Sequence, residues 1–365
     1  MKITHTEIFK LTIPMEPFVI ATEACSATQN IFIRIHTDEG IIGMGECSAF
    51  PMLVGETQNT CFEIAKDFAR ITKGLNPLDI IGILKLLDQY IAFNSTIKSA
   101  WDIALNDISA KASGLPLYAF LGGIKKDIHT DLTIGIDTPE KMAEKARQFV
   151  ANGVTIIKVK LGKNGEEDVR RIKIIREAVG YSIQLRVDAN QGWDMETAIR
   201  TLNAIAPYSI EFCEQPIHHH FDHQLPEVRK QSAVKIMADE SVFNHYDAIR
   251  LIEADAIDYI NIKLAKSGGI LEAQKIADAA GERGIPCMLG GMTESRLGLT
   301  AKVHFAMTHP NIQFYDLDTC LLGQYEDPVI GGANYNNYHL EVSDGAGIDA
   351  DIDETFLEKC EKIVV

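Results

Sequence analysis

A regular alternation of short apolar runs and helical patterns constrains the fold of this chain more than any other feature. The runs are rich in β-branched residues and almost continuously apolar, which is typical of parallel strands that are buried on both faces. They are Asp131–Ile136, Thr155–Leu161, Ile183–Asp188, Ile210–Glu214, Lys235–Asp239, Asp258–Leu264, Cys287–Gly290 and Ile312–Asp318. Eight strands at this spacing, with a helical pattern between neighbours, predict an α/β fold that closes into a TIM-like barrel.

The N-terminal third of the chain has a different texture. An alternating apolar pattern on both sides of the polar turn 37–40 predicts a hairpin over 31–46. Helical patterns follow near 57–72, 77–92 and 96–113. Strands followed by clustered helices predict an α+β domain over 1–125 and the barrel over 126–325. Residues 326–365 are turn-rich again, and we expect them to pack back on the N-terminal domain.

Charge and cysteine usage narrow the choice of partners and compartment. The formal net charge is -16, which argues against nucleic acid or an acidic membrane surface as a partner. The seven cysteines are scattered and form no Cys-x-x-Cys pair, as expected for reduced thiols. Because no stretch is apolar enough for a membrane span or a signal peptide, we expect a cytoplasmic protein.

Three acidic residues stand at the ends of consecutive predicted strands. Asp188, Glu214 and Asp239 end strands three, four and five, about one βα unit apart, so they should converge on the active-site face of a barrel. Carboxylates this close need a cation, and an oxygen-only ligand set suits Mg²⁺. Capping of the following helix would explain any one of them equally well, but it does not explain three in register.

Two lysines end strands on opposite sides of the predicted ring. Lys160 lies at the end of strand two, and Lys263 lies at the end of strand six. The pKa of a buried lysine falls when positive charge lies nearby, so these residues could act as bases beside a divalent cation. The alternative is that both are structural lysines paired with the acidic cluster. That alternative does not explain why they lie on opposite sides of it.

Taken in order, these strand ends resemble those of the enolase superfamily, in its muconate-lactonizing subgroup. The resemblance extends over essentially the whole chain and implies a (β/α)₇β barrel under an α+β capping domain built from both termini. It implies Mg²⁺ held by the three carboxylates, the two lysines as an acid/base pair, and an enediolate formed when an α-proton leaves. It also places Asn190 and Glu240 beside the metal ligands. The motifs are Lys158-Val-Lys160, Asp188-Ala-Asn190, Glu214-Gln215-Pro216, Ala238-Asp239-Glu240-Ser241 and Asn261-Ile-Lys263.

Within the subgroup, Asp316-Leu-Asp318 resembles the mark of the dipeptide epimerases, in which two aspartates receive the substrate's α-ammonium group. Strand alternation would send both side chains to one face. The resemblance adds Thr133, Lys158 and the turn Gly291-Met292-Thr293 as substrate contacts, and Gly290 and Gly291 leave room for a substrate at the rim. The predicted activity is therefore epimerisation of a dipeptide at its C-terminal residue. The sequence leaves open whether the chain forms a homo-oligomer.

Other functions of the same subgroup remain as alternatives. o-Succinylbenzoate synthases and N-acylamino-acid racemases act on substrates without a free ammonium group, so Asp316 and Asp318 would have no task. Acid-sugar dehydratases typically use a histidine at the end of strand seven, where this chain has Met288-Leu289-Gly290. A catalytically silent metal-binding barrel is a further alternative, and the presence of both lysines argues against it.

The specificity prediction depends on a loop near residue 20. Ala-Glu epimerases carry an arginine there that pairs with the substrate's glutamate, and alignment on Pro17-Phe18 puts Glu23 in its place. With Ile20, Phe50 and Met52, Glu23 would form a mostly apolar lid that disfavours a second carboxylate. We expect Ala-Ala or Ala-hydrophobic dipeptides to be preferred over Ala-Glu. Two alternatives stay open: Glu23 plays no part in selection, or it pairs with a basic second residue.

Overall fold

The N-terminal part of the chain is an antiparallel sheet packed against helices in the computed structural model, which describes residues 1–22 and 24–365. Its elements are β1 (Ile3–Leu11), β2 (Pro14–Val19), β3 (Ala24–Ala27), β4 (Asn30–Thr37), β5 (Ile42–Ser48), α1 (Pro51–Val54), α2 (Gln58–Thr72), α3 (Ile80–Tyr90), α4 (Ser95–Ala112) and α5 (Leu117–Phe120). β4 and β5 are the predicted hairpin, and α2, α3 and α4 are the three predicted helices. Glu23 lies outside the described residues.

A parallel barrel follows. Its elements are β6 (Leu132–Ile134), α6 (Pro139–Ala151), β7 (Ile156–Lys160), α7 (Gly165–Val179), β8 (Gln184–Asp188), α8 (Met195–Ile205), β9 (Ile210–Glu214), α9 (Leu225–Gln231), β10 (Ile236–Ala238), α10 (His245–Glu253), β11 (Tyr259–Ile262), α11 (Leu264–Ser267), α12 (Ile270–Gly281), β12 (Cys287–Gly290), α13 (Arg296–Ala306) and β13 (Ile312–Asp316). The sheet order runs from β6 to β13 in sequence. A backbone hydrogen bond of 3.2 Å from Asp131 to Tyr315 joins its first and last strands. The predicted TIM-like barrel is confirmed.

The C-terminal residues return to the N-terminal sheet. The elements are β14 (Val329–Gly331), β15 (Asn334–Asn336), β16 (His339–Glu341), β17 (Ala350–Ile352), α14 (Glu354–Leu357) and β18 (Lys362–Val364). β18 pairs antiparallel with β1, so the capping sheet has the order β18-β1-β4-β5. Both termini therefore contribute to the cap.

The capping sheet packs closely on helix α4. A Cβ atom at Gly45 of β5 would lie 2.0 Å from the carbonyl oxygen of Ala100, so only glycine allows this approach. Trp101 is fully buried and meets Phe68 of α2 edge-to-face, with ring centroids 5.4 Å apart. Such aromatic pairs add to the stability that their buried area provides. Among the described residues, no helix is both long and apolar enough to cross a membrane.

Two buried carboxylates fix the cap to the barrel. Glu46 of β5 accepts hydrogen bonds from the backbone N–H groups of Ser295 and Gly298, both 2.8 Å, at the start of α13. Asp102 of α4 accepts from Ile270 and Leu271 at the start of α12, at 3.0 and 3.1 Å. Negative charge at a helix N-terminus satisfies free N–H groups and stabilises the helix. The cap is thus held at the edge of the barrel where helices α12 and α13 begin.

Candidate active site

Three acidic side chains meet at the C-terminal ends of neighbouring barrel strands. Asp188 is the last residue of β8, Glu214 the last of β9, and Asp239 follows β10 directly. Asp188 and Glu214 are register partners in the parallel sheet. All three are fully buried. The convergence that the sequence predicts is therefore present.

Lys158 pairs with two of these three acidic side chains and with Asp316. Its ammonium nitrogen is 2.6 Å from Glu214, 3.2 Å from Asp188 and 2.7 Å from Asp316. Burial lowers the pKa of Lys158, but the surrounding carboxylates outweigh burial and raise that pKa well above its usual value. Lys158, predicted as a substrate contact, thus supplies positive charge to Asp188, Glu214 and Asp316.

The acidic group has the chemistry of a site for a hard divalent cation. Burial and the negative charge of Asp188 raise the pKa of Glu214 to about 7. Burial and the charge of Asp239 raise the pKa of Glu240 to about 8. Buried Oε2 of Glu240 and Oδ1 of Asn190 have no hydrogen-bond partner. Crowded carboxylates with unsatisfied oxygens are stabilised by a cation, and an all-oxygen donor set fits Mg²⁺.

Asn190 and Glu240 lie where the sequence places them, beside the three carboxylates. The amide of Asn190 donates to Oε1 of Glu240 at 3.3 Å, and its backbone N–H donates to Oδ1 of Asp188 at 2.8 Å. Both side chains are buried. They therefore fix the orientation of at least one of the candidate ligands.

Asp239 is held by two lysines, of which the sequence indicates only one. Lys263, which follows β11, lies 2.8 Å from Oδ2, and Lys266 lies 2.7 Å from Oδ1. Lys266 is fully buried and also donates to the backbone carbonyls of Asp239 and Asn261. Its position one helical turn after Lys263 is the only sequence signal that could have identified it.

Lys160 and Lys263 face one cavity of about 70 Å³. They come from strands two and six of the barrel, and Lys160 also contacts Oδ2 of Asp188 at 2.6 Å. Asn190 and the predicted turn Gly291–Thr293 line the same cavity. Two amines therefore reach a single small space from different sides, as two-base proton transfer requires.

Two of the predicted lid residues line this cavity. Ile20 and Phe50 line the cavity, together with Phe18 and Leu53. Met52 does not line the cavity, its side chain is 57% exposed, and its role in the lid stays a prediction. Successive residues of a helical turn point about 100° apart, so Leu53 and Met52 of α1 face different directions.

Asp316 and Asp318 converge, but for a reason other than the predicted one. β13 ends at Asp316, and Asp318 adopts a helical conformation as the N-cap of a 3₁₀ turn, so strand alternation does not apply to it. Oδ2 of Asp318 accepts the backbone N–H of Thr133 at 2.7 Å. Carboxylate oxygens of Asp316, Asp318 and Asp131 lie within 4.8 Å of one another. Burial and Asp316 raise the pKa of Asp318 to about 7.

Asp131 and Asn261 lie at the site, although the sequence analysis gave neither of them a role. Asp131 pairs with Arg186 at 2.8 Å, and its other oxygen is buried without a hydrogen bond. Asn261 donates to Oε1 of Glu214 at 2.7 Å. A Cβ at Gly290 would lie 2.5 Å from Oδ1 of Asn261. Gly290 therefore leaves room for this amide, and the expectation that it leaves room for a substrate stays a prediction.

The turn Gly291–Thr293 is fastened to the capping sheet. The hydroxyls of Thr293 and Ser48 lie 2.8 Å apart, and Oγ of Ser48 accepts the backbone N–H of Thr293 at 3.2 Å. Backbone N–H of Met292 donates to Glu294 at 2.7 Å. The cap thus sets the position of one wall of the cavity.

Family profiles match both parts of the chain. Residues 3–122 match the mandelate racemase / muconate lactonizing enzyme N-terminal domain, and residues 141–356 match the enolase C-terminal domain-like family. The chain is 46% identical over 368 residues to a D-Ala-D/L-Ala epimerase of Cytophaga hutchinsonii, covering all of both chains. It is 39% identical to a hydrophobic dipeptide epimerase of Enterococcus faecalis, over 95% of this chain and 98% of that one.

Solved structures share the same fold. The dipeptide epimerase of Cytophaga hutchinsonii, crystallised with Mg and the dipeptide D-Ala-L-Val, superposes with a TM-score of 0.98 at 46% sequence identity. The match covers all of both chains.

Proposed function

This chain belongs to the mandelate racemase and muconate lactonizing enzyme family of the enolase superfamily, and we propose that it is a Mg²⁺-dependent dipeptide epimerase. The reaction is an isomerisation that inverts the α-carbon of the C-terminal residue. The observation that carries the proposal is the single cavity faced by Lys160 and Lys263 beside three converging carboxylates. Inversion needs a group that removes the proton on one face and another that returns it on the opposite face.

Lys160 and Lys263 would each work in one direction. Each ammonium is paired with a carboxylate here, Lys160 with Asp188 and Lys263 with Asp239. Burial lowers the pKa of Lys263, but Asp239 and Glu214 raise it well above its usual value. The lysine that acts as base must therefore lose this pairing and its proton before the reaction. The lysine that stays protonated is the acid that returns a proton to the opposite face.

Asp188, Glu214 and Asp239 would hold the Mg²⁺, whose charge offsets the negative charge that develops on the substrate carboxylate as the α-proton leaves. Asn190 and Glu240 would support them, because Asn190 bonds both Asp188 and Glu240. Because the bound cation would neutralise the three ligand carboxylates, these carboxylates would no longer raise the pKa of Lys263.

The substrate's ammonium group would bind at Asp316 and Asp318. Both aspartates are buried, and Asp318 is oriented by the backbone of Thr133. Lys158 pairs with Asp316, but three carboxylates meet here, and a further cationic group such as the N-terminus of a dipeptide would offset their remaining negative charge. N-acylated amino acids and o-succinylbenzoate precursors carry no such cation. This pair therefore favours a free dipeptide over the substrates of related racemases and lyases.

The lid favours a small or apolar second residue. Apart from Lys160 and Lys263, the described residues that line the cavity carry no charge, and they include Phe18, Ile20 and Phe50. Burying a glutamate side chain there without a basic partner would cost several kcal/mol. Ala-Ala and Ala-Val would therefore be better substrates than Ala-Glu. The relatives named for D-Ala-D/L-Ala and hydrophobic dipeptides support the same preference.

Incubation of a dipeptide library with the enzyme in D₂O and Mg²⁺, followed by mass spectrometry, tests the proposal. We expect one α-deuterium in the second residue of Ala-Ala and Ala-Val, together with the inverted epimer. Chelation of Mg²⁺ should stop both. Deuteration of N-acylated amino acids, with no reaction of any free dipeptide, would instead identify an N-acylamino-acid racemase.

A further inference from the structure

A second cluster of metal-ligating side chains lies outside the active site, where the chain leading into β6 meets β16. Leu340 donates a backbone hydrogen bond to Ile128 at 2.8 Å, and Thr130 donates to Tyr338 at 3.0 Å. His129 and His339 are therefore directly opposite each other in a short antiparallel ladder. Their rings lie 4.9 Å apart, as expected for the closely spaced type of pair.

Alternation along both strands gathers four polar side chains on the outer face of this ladder. Ile128 and Leu340 point inward and are buried. Residues on either side of them face outward, and the same register that pairs the histidines places Asp127 opposite Glu341. The outer face therefore carries two imidazoles and two carboxylates in a two-by-two array.

The distances within this array suit a single metal ion. One ligand atom each from Asp127, His129 and His339 lie within 4.8 Å of one another. Nε2 of His339 is 2.9 Å from Asp127, and Nδ1 is 3.4 Å from Glu341. Two carboxylates placed opposite each other repel, so the array favours a bound cation.

We propose that Asp127, His129 and His339 form a binding site for a divalent transition-metal ion, with Zn²⁺ as the probe. Two imidazoles and one carboxylate are a ligand set that Zn²⁺ and Ni²⁺ accept, whereas Mg²⁺ prefers oxygen atoms alone. On binding, the metal would lie between Nε2 of His339 and the carboxylate of Asp127, which are 2.9 Å apart without it. Nδ1–H stays directed at Glu341, which orients the ring.

This site is separate from the three converging carboxylates. It precedes the first barrel strand, whereas those carboxylates stand at the C-terminal ends of β8, β9 and β10. Its ligands come from two segments far apart in the chain, so a bound ion would clamp β16 and its neighbours to the barrel. Zn²⁺ should therefore raise the melting temperature of protein that is already saturated with Mg²⁺.

Calorimetric titration of ZnCl₂ into the untagged, Mg²⁺-saturated full-length protein tests the site. We expect one equivalent of Zn²⁺ to bind and the melting temperature to rise. His129→Gln and His339→Gln should each lose both effects, and Glu341→Gln should weaken binding about 10- to 100-fold. All three substitutions are on the exposed face, and an unchanged melting temperature without Zn²⁺ would show that the fold is intact.

A matched control comes from the consecutive histidines 218–220, whose ring nitrogens also lie close together. His219→Gln should leave Zn²⁺ binding and the thermal shift unchanged. Loss of binding in His219→Gln with retention in His129→Gln and His339→Gln would overturn the proposal. So would the absence of any Zn²⁺ binding by the unaltered protein.

Discussion

The ammonium nitrogen of Lys266 lies 2.7 Å from Oδ1 of Asp239, and neither side chain is exposed to solvent. Lys263 takes the other oxygen of the same carboxylate at 2.8 Å. Lys266 has two further acceptors, the backbone carbonyls of Asp239 and Asn261. Its three donors are thereby all used, so Lys266 fixes the orientation of Asp239 and leaves Lys263 as the residue that can move.

Replacing Lys266 should reveal this orienting role. Lys266→Met removes the donor to Oδ1 of Asp239 and one donor each from the backbone carbonyls of Asp239 and Asn261, and we expect the free energy of unfolding to fall by about 3 kcal/mol. The affinity for Mg²⁺ should fall as well. Urea unfolding and calorimetric Mg²⁺ titration measure the two effects. Lys275→Met is the matched control, because Lys275 is 46% exposed where it meets Glu272 and should contribute little. Equal stability of the two variants would contradict the assignment.

The two cavity lysines should be separable by isotope exchange. Lys160→Ala and Lys263→Ala should each lower the rate of epimerisation at least about 10³-fold, because one of the two proton-transfer groups is missing. Each variant should still exchange the α-proton of one epimer of Ala-Ala with D₂O, and the two variants should exchange opposite epimers. NMR follows both processes. Lys163 is an exposed residue in the loop that follows Lys160, and Lys163→Ala should behave as the unaltered enzyme. Exchange of the same epimer by both variants would rule out the two-sided arrangement.

Binding of Mg²⁺ should depend on pH through Glu214. Burial and the charge of Asp188 raise the pKa of Glu214 to about 7 in the metal-free protein. Above that pH Glu214 is a carboxylate that is ready to bind. As the pH falls through 7 it takes up a proton that the metal must displace, so apparent affinity should fall about tenfold per pH unit. Titration calorimetry from about pH 6 to about pH 8 measures this slope. Glu214→Gln should bind more weakly and show a flatter profile, and a flat profile in the unaltered protein would contradict the prediction.

The barrel and the main site residues could be predicted because their signals are local. Strands buried on both faces are apolar along their whole length, and the parallel register puts their last residues at one edge. Asp188, Glu214 and Lys160 are such residues, and the structure brings them together. Their positions follow from strand periodicity and from the length of one βα unit.

Other features depend on tertiary packing, which produces no periodic pattern in the sequence. Asp131 precedes its strand, and Asp318 leaves the strand path for a 3₁₀ turn, yet their carboxylates meet beside Asp316. Lys266 acquires its role from carbonyls that the fold brings to it. Leu53 rather than Met52 lines the cavity, because of the direction in which the single helical turn α1 approaches it. None of these can be obtained from spacing alone.

Substrate preference provides the last prediction, and it concerns Glu23. By resemblance, Glu23 stands where Ala-Glu epimerases carry an arginine that pairs with the substrate's side chain. We expect kcat/KM for Ala-Ala to exceed that for Ala-Glu by at least about 100-fold, or about 2.7 kcal/mol, because two carboxylates would meet in a closed lid. Glu23→Arg should raise kcat/KM for Ala-Glu at least about tenfold and leave Ala-Ala nearly unchanged.

A control for this charge reversal is available in the neighbouring strand. Glu16 of β2 is exposed and does not line the cavity of the two lysines, so Glu16→Arg makes the same change in net charge outside that cavity. It should not alter the ratio of kcat/KM for the two dipeptides. Measuring Ala-Lys as well decides whether Glu23 selects a basic residue. If it does, Ala-Lys would be the best substrate, and Glu23→Arg would abolish turnover of Ala-Lys. A preference of the unaltered enzyme for Ala-Glu would show that Glu23 and the apolar lid do not set specificity.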